Sequence, residues 1–91
     1  GTRMADGVVL ITGSTSGIGK ELARTLATEG WAVYVSARDK ARAEQTAAEL
    51  APAGDVRALP VDLNVDDDAS VRAAAAALAR DPGRLDVLVN N

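Results

Sequence analysis

The sequence predicts an α/β chain, one parallel sheet with helices on both of its faces. Four short apolar runs rich in Val, Ile and Leu are the first observation behind this. They are too short for helices, and their near-continuous hydrophobicity suits strands covered on both sides. The second is three intervening stretches whose apolar residues recur at helical spacing. The third is strict alternation, β-α-β-α-β-α-β, the pattern of parallel crossover units.

Each element follows from its residues. Val8–Thr12 is apolar and β-branched and predicts the first strand. Ile18, Leu22 and Leu26, with Ala23 and Ala27 beside them, form the stripe of the first helix, which Gly30 ends. Trp31–Ser36 (WAVYVS) is the second strand. Asp39 can cap a second helix over Lys40–Leu50, with Ala43, Ala47 and Leu50 on its apolar face, and Pro52 and Gly54 break it. Val56–Pro60 is the third strand. Asp66–Asp68 place negative charge where the next helix dipole favours it, and Val71, Ala74, Ala75 and Leu78 give that helix its stripe. The alanine run 73–77 suits a helix packed closely on a sheet. Pro82-Gly83 ends the helix, Leu85–Val89 is the fourth strand, and Asn90-Asn91 follow.

Right-handed crossovers restrict the topology. The natural sheet order is 3-2-1-4, the first half of a doubly wound nucleotide-binding fold. Strands 1 and 4 are then neighbours at the switch point, and a crevice opens at their carboxyl ends. The turn after strand 1 and Asn90 after strand 4 face that same crevice.

Composition narrows the partners. The chain has 91 residues, 47% of them hydrophobic, enough for one small core. Gly1–Arg3 precede Met4 and read as a cloning scar, so residues 1–5 are set apart as a disordered start and 6–91 taken as the folding unit. The chain has no cysteine and no histidine, which excludes disulfides and the common zinc sites and fits a reducing compartment. A net charge of −3 argues against nucleic acid as a general partner. No apolar run approaches the roughly 20 residues that span a bilayer. The expectation is a soluble, cytoplasmic protein that binds neither nucleic acid nor membrane.

The chemistry lies in TGSTSGIG, residues 12–19. A glycine turn between strand and helix presents bare backbone N–H groups at a helix N-terminus, a site for phosphate. Gly13 allows a sharp exit from the strand, Gly17 a close approach to pyrophosphate, and Gly19 close packing of helix on sheet. Ser14, Thr15 and Ser16 add hydroxyls able to bond phosphate or ribose. The ATP-type loop G-x-x-x-x-G-K-[ST] fails, because it needs Gly at 14 and Ser or Thr at 21, where the chain has Ser14 and Glu21.

Thr12-Gly13-x-x-x-Gly17-Ile18-Gly19 resembles the coenzyme motif of the short-chain dehydrogenases/reductases, and differs from the G-x-G-x-x-G of other dinucleotide (Rossmann) folds. Asp62-Leu63 is similar to that family's adenine-contacting segment. Leu85–Asn91 (LDVLVNN) is similar to the start of its Asn-Asn-Ala-Gly motif. The resemblance covers the chain from the first strand on. It implies that the turn 13–19, Ile18 included, holds a diphosphate, that Asp62 accepts from the adenine amino group, and that Leu63 packs on the ring. Asn90 would bond across between strands 1 and 4, or simply cap the strand end.

The end of strand 2 discriminates between coenzymes. NAD enzymes place a carboxylate there for the ribose 2′-OH, and NADP enzymes place Arg or Lys for the 2′-phosphate. By comparison with the family the carboxylate position falls on Ala37, followed by Arg38, whose guanidinium can bind a phosphate dianion at two points. NADP(H) is expected over NAD(H), with Arg42 in reach of the same phosphate. Asp39 either serves a ribose hydroxyl or caps the helix. This chain has Ser16 where some NADP-preferring members carry a basic residue.

The family's catalysis uses a serine and a Tyr-x-x-x-Lys pair. The one tyrosine here is Tyr34, with Arg38 four residues on, but it lies in strand 2 and is expected to be core or crossover packing, not the catalytic acid. No residue is assigned to catalysis. The resemblance implies the coenzyme-binding part of a longer oxidoreductase that interconverts a carbonyl and a secondary alcohol, with homo-oligomer contacts in later helices. Val87–Val89 would otherwise leave an open apolar edge. The alternative is a non-catalytic dinucleotide-binding module, a redox sensor or scaffold.

Overall fold

All four residues of β1 (Val8–Ile11) are buried, because both faces of this strand are covered. Val9 and Ile11 face one core with Val33, Val35, Ala23, Ala27 and Leu50, while Val8 and Leu10 face another with Tyr34, Leu59, Leu63 and Leu78. Period-2 alternation of side chains thus divides an unbroken apolar run between two cores. The computed structural model describes residues 7–91, so the expectation for residues 1–5 lies outside the described residues.

The chain continues through α1 (Gly17–Thr28), β2 (Ala32–Val35), α2 (Lys40–Leu50), one 3-10 turn at Ala51–Ala53, β3 (Val56–Ala58), α3 (Asp68–Arg80) and β4 (Val87–Val89). The strands pair in parallel in the order β3-β2-β1-β4. This is the topology predicted from the alternation and from crossover handedness. The helices α1 and α2 cover the face carrying Val9 and Ile11, and α3 covers the other. Leu50 and Leu59 are fully buried, one in each core. Burying such a side chain stabilises the fold by about 1.5–3 kcal/mol.

Two helix stripes differ from expectation. Ile18 is 82% exposed, and the buried residues of α1 are Gly19, Ala23 and Ala27, with Leu22 and Leu26 packed at the margin. The smallest side chains face the sheet because they let the helix lie close to it, and this rotates Ile18 outward at the first turn. On α3 the buried set is Ala74, Ala77 and Leu78, while Val71 and Ala75 are exposed. These two face an apolar groove of about 310 Å³ between α3 and β4, lined also by Leu85 and Leu88.

Strand ends have local causes. Leu59 N–H still donates to Val35 O (2.9 Å), but the next acceptor on β2's side, Ala37 O, takes the N–H of Leu63 (2.8 Å), four residues on, so the chain leaves the ladder and β3 is shorter than predicted. At β4, Asp86 N–H donates to Val8 O (2.9 Å) while its carboxylate accepts from Val8 N–H (2.8 Å), and Leu85 lies outside the strand. One edge of β4 pairs with β1; Leu88 on it is 56% exposed.

The Val8 N–H, helped by Arg84, holds the Asp86 carboxyl below its ordinary value. A depressed folded pKa gives stability that is complete above the unfolded value, about 3.9, and is lost as pH falls through the folded one. Asp86→Asn keeps an acceptor for Val8 but has no charge to lose. Urea midpoints compared between about pH 6 and about pH 3 should therefore fall less for the variant than for the wild type. Equal falls would contradict this role.

Candidate functional site

Strand order brings residues far apart in sequence to one place, the carboxyl ends of β1 and β4. Thr12 extends β1 by donating its N–H to Val89 O at 3.0 Å. Its hydroxyl donates to Asn90 Oδ1 at 3.2 Å, joining the two strand ends. The same hydroxyl oxygen accepts from Asn91 N–H at 3.0 Å, and Asn91 Nδ2 donates to Gly13 O at 3.0 Å. Asn91 therefore fixes the start of the glycine turn, a role not expected from sequence. A polar Asn-Asn pair directly after an apolar strand, in a topology that sets it beside Thr12-Gly13, was the available signal.

The turn is open at Gly13 and again from Ser16 to Ile18. Gly13 is exposed, with φ +58°. Thr15 is half-buried, and Ser16, Gly17 and Ile18 are exposed. Gly17 has φ +58°, and a Cβ built on it would meet nothing within 4 Å. A side chain there would stand in open space directly over the turn. Gly19 differs: its Cβ would lie 2.8 Å from Gly13 O and 2.6 Å from Asn91 Nδ2, so the first turn of α1 rests on the backbone of the strand exit. Ser16 occupies the N-cap position without a side-chain capping bond. The first N–H groups of a helix have no acceptor within it, and the helix dipole favours an anion there. The turn thus offers backbone donors, partial positive charge and space.

Ser14 departs from expectation. It is fully buried; its hydroxyl donates to Ile11 O (2.8 Å) and accepts from Ser36 N–H (2.9 Å), while its own N–H donates to Ser36 O (3.3 Å). These bonds satisfy backbone groups where β1 and β2 end. The hydroxyl therefore has no freedom to turn toward a phosphate. It braces the turn from beneath.

At the end of β2 the chain passes through buried Ala37 to exposed Arg38. Arg38 Nη2 lies 3.7 Å from Asp66 Oδ2, with side chains 76% and 81% exposed, a weak pair in water. Asp39 caps α2, accepting from Ala41 N–H at 2.9 Å. Asp62 Oδ1 accepts from Lys40 N–H at 2.8 Å, and Leu63 is buried with its N–H donating to Ala37 O at 2.8 Å. Gly13, Ala37, Arg38, Leu63 and Asn91 together line a hollow of about 130 Å³. Tyr34 lies in the core, its hydroxyl accepting from Arg57 Nη1 at 3.3 Å, and it does not line this hollow.

A half-sheet of order 3-2-1-4 with a glycine turn at its switch point defines the dinucleotide-binding class of α/β proteins. The short chain dehydrogenase family model matches residues 7–91, and the chain belongs to that family of oxidoreductases. A curated relative, the 3-oxoacyl-(acyl-carrier-protein) reductase of rhamnolipid biosynthesis from Pseudomonas aeruginosa, is 40% identical over 88 residues, covering 97% of this chain and 34% of the relative. Among solved structures, the Pseudomonas aeruginosa RhlG/NADP active-site complex superposes with a TM-score of 0.88 at 40% identity, over 97% of this chain and 35% of that one. A 3-ketoacyl-(acyl-carrier-protein) reductase from Brucella melitensis complexed with NADH gives a TM-score of 0.76 at 37% identity, over 90% and 32%. The chain spans about a quarter to a third of the length of the curated relatives it matches. Among the described residues no helix is long and apolar enough to cross a membrane.

Proposed function

We propose that this chain is the coenzyme-binding segment of an NADP(H)-dependent short-chain oxidoreductase. Its longer parent enzyme interconverts a small carbonyl compound and a secondary alcohol in the cytoplasm. One observation carries the reading: a single hollow is lined by Gly13 of the turn, Arg38 after β2 and Leu63 after β3. Three segments that the sequence singles out separately meet there.

The residues fit a dinucleotide phosphate. The open space over Gly17 and the orphan N–H groups of the first turn of α1 suit a diphosphate. Arg38, held only by an exposed ion pair, can exchange Asp66 for a 2′-phosphate, a dianion that offers two-point bonding. Leu63 provides an apolar floor for adenine. Thr15, Ser16 and Ile18 flank the diphosphate, and Asn90 shapes the crevice by tying β4 to Thr12. When bound, the nicotinamide coenzyme supplies or accepts the hydride. This chain's residues bind and orient it. The net charge of −3 gives no broad basic surface for nucleic acid.

Titration of the parent enzyme with NADPH and NADH tests the proposal. Tighter binding of NADPH by about tenfold or more is expected, since a charge-assisted bond contributes about 1.5–3 kcal/mol. Equal affinities, or tighter NADH, would contradict it.

A further inference from the structure

We propose that Asp62 is a positioning residue for Arg38: its carboxylate fixes the turn that presents the guanidinium, so that Asp62 sets the preference between phosphorylated and unphosphorylated adenine ribose. The inference rests on the NADP(H) reading above and assigns Asp62 a part distinct from contact with adenine.

The first turn of α2 follows closely on Arg38. Lys40 is its first residue, and its N–H has no acceptor inside the helix. Asp62 Oδ1 accepts that N–H at 2.8 Å from the loop after β3. One residue on, Leu63 N–H donates to Ala37 O at 2.8 Å. Asp62-Leu63 therefore clamps the chain on both sides of Arg38, at Ala37 O and at Lys40 N. Asp39 adds a local bond within the turn, to Ala41 N–H. A negative carboxylate at a helix N-terminus is also favoured by the dipole.

Arg38 itself is not fixed by packing. Its side chain is largely exposed, and Asp66 at 3.7 Å is a weak tether. Its aim toward the hollow depends on where the backbone of 37–40 holds it, and the bond from Asp62 is the long-range side-chain contact to that backbone. Without it the turn regains conformational freedom, and a phosphate must reorder it on binding. NADPH bears that cost because only NADPH engages Arg38. Both coenzymes share the adenine, so a residue acting on adenine alone would weaken both equally.

The test uses the parent enzyme, with dissociation constants for NADPH and NADH and amide exchange at Lys40 without coenzyme. Asp62→Ala should weaken NADPH about 5- to 10-fold more than NADH and speed Lys40 exchange. Asp62→Asn, whose carbonyl oxygen can still accept from Lys40, should restore most of the ratio and the protection. Should Asp62→Ala not fold, Lys40→Pro removes the same N–H at a helix position that tolerates proline. Compared with Lys40→Ala, it should show the same selective loss. Equal loss for both coenzymes, with Arg38→Ala still selective, would overturn the role of Asp62 and leave the coenzyme reading standing. Equal loss in Arg38→Ala itself would overturn both.

Discussion

Gly19→Ala should weaken coenzyme binding by about 10- to 100-fold and lower the stability of the parent enzyme by about 1–3 kcal/mol. The added methyl would sit 2.8 Å from Gly13 O and 2.6 Å from Asn91 Nδ2, both inside contact distance. Asn91 can rotate away, but only by breaking its 3.0 Å bond to Gly13 O. Gly13 O is backbone, and it can move only if the strand exit or the start of α1 moves. Either movement displaces the N–H groups of the turn from the positions a diphosphate requires. Denaturant unfolding and coenzyme titration measure the two effects separately. An unchanged affinity would show that the close rest of α1 on Gly13 has no bearing on binding.

Arg38→Ala should weaken NADPH by about 10- to 150-fold, the equivalent of one charge-assisted phosphate contact, and NADH by less than about threefold. The reason is the location of Arg38, at the rim of the hollow and outside the core. Nothing buried depends on its side chain, so stability should change little. The Asp66 carboxylate left behind is exposed and solvated, and its loss of a partner is of small consequence. Fluorescence titration of wild type and variant with both coenzymes gives the ratio. Equal losses would reassign Arg38 to the general surface.

Most of the fold was legible because it depends on apolar periodicity and crossover handedness, both properties of the sequence. The four strands, three helices and sheet order are those predicted. What was not legible depends on contacts between distant segments. Ile18 completes a perfect four-residue stripe with Leu22 and Leu26, yet faces outward, because the distance of α1 from the sheet is set by Gly19, Ala23 and Ala27. Strand ends lie a residue or two from the expected ones where the Leu63 N–H and the Asp86 carboxylate take the place of ladder partners that hydrophobicity would have continued.

The candidate site divides the same way. The bareness of the turn at Gly13 and Gly17 follows from residue type, and the structure places both in the open. Ser14 looks like its neighbours Thr15 and Ser16 in the sequence, but the end of β2 lies beneath it and engages its hydroxyl. Asp39 had two open readings, and the structure uses it to cap α2. Asp62 stood out as a carboxylate near adenine, while its bond to Lys40 N–H depends on β3 and α2 being adjacent. Asn91 has no role legible in the sequence, because its partners Thr12 and Gly13 lie at the far end of the chain.

Coenzyme binding here depends on where the negative bridge of the coenzyme rests. A crystal structure of the parent enzyme with NADP(H) measures this directly. The diphosphate should lie within hydrogen-bond distance of backbone N–H groups in the turn 13–19, over the bare face of Gly17, with the 2′-phosphate on Arg38. A diphosphate seated elsewhere in the crevice, with that turn contacting only protein, would contradict it.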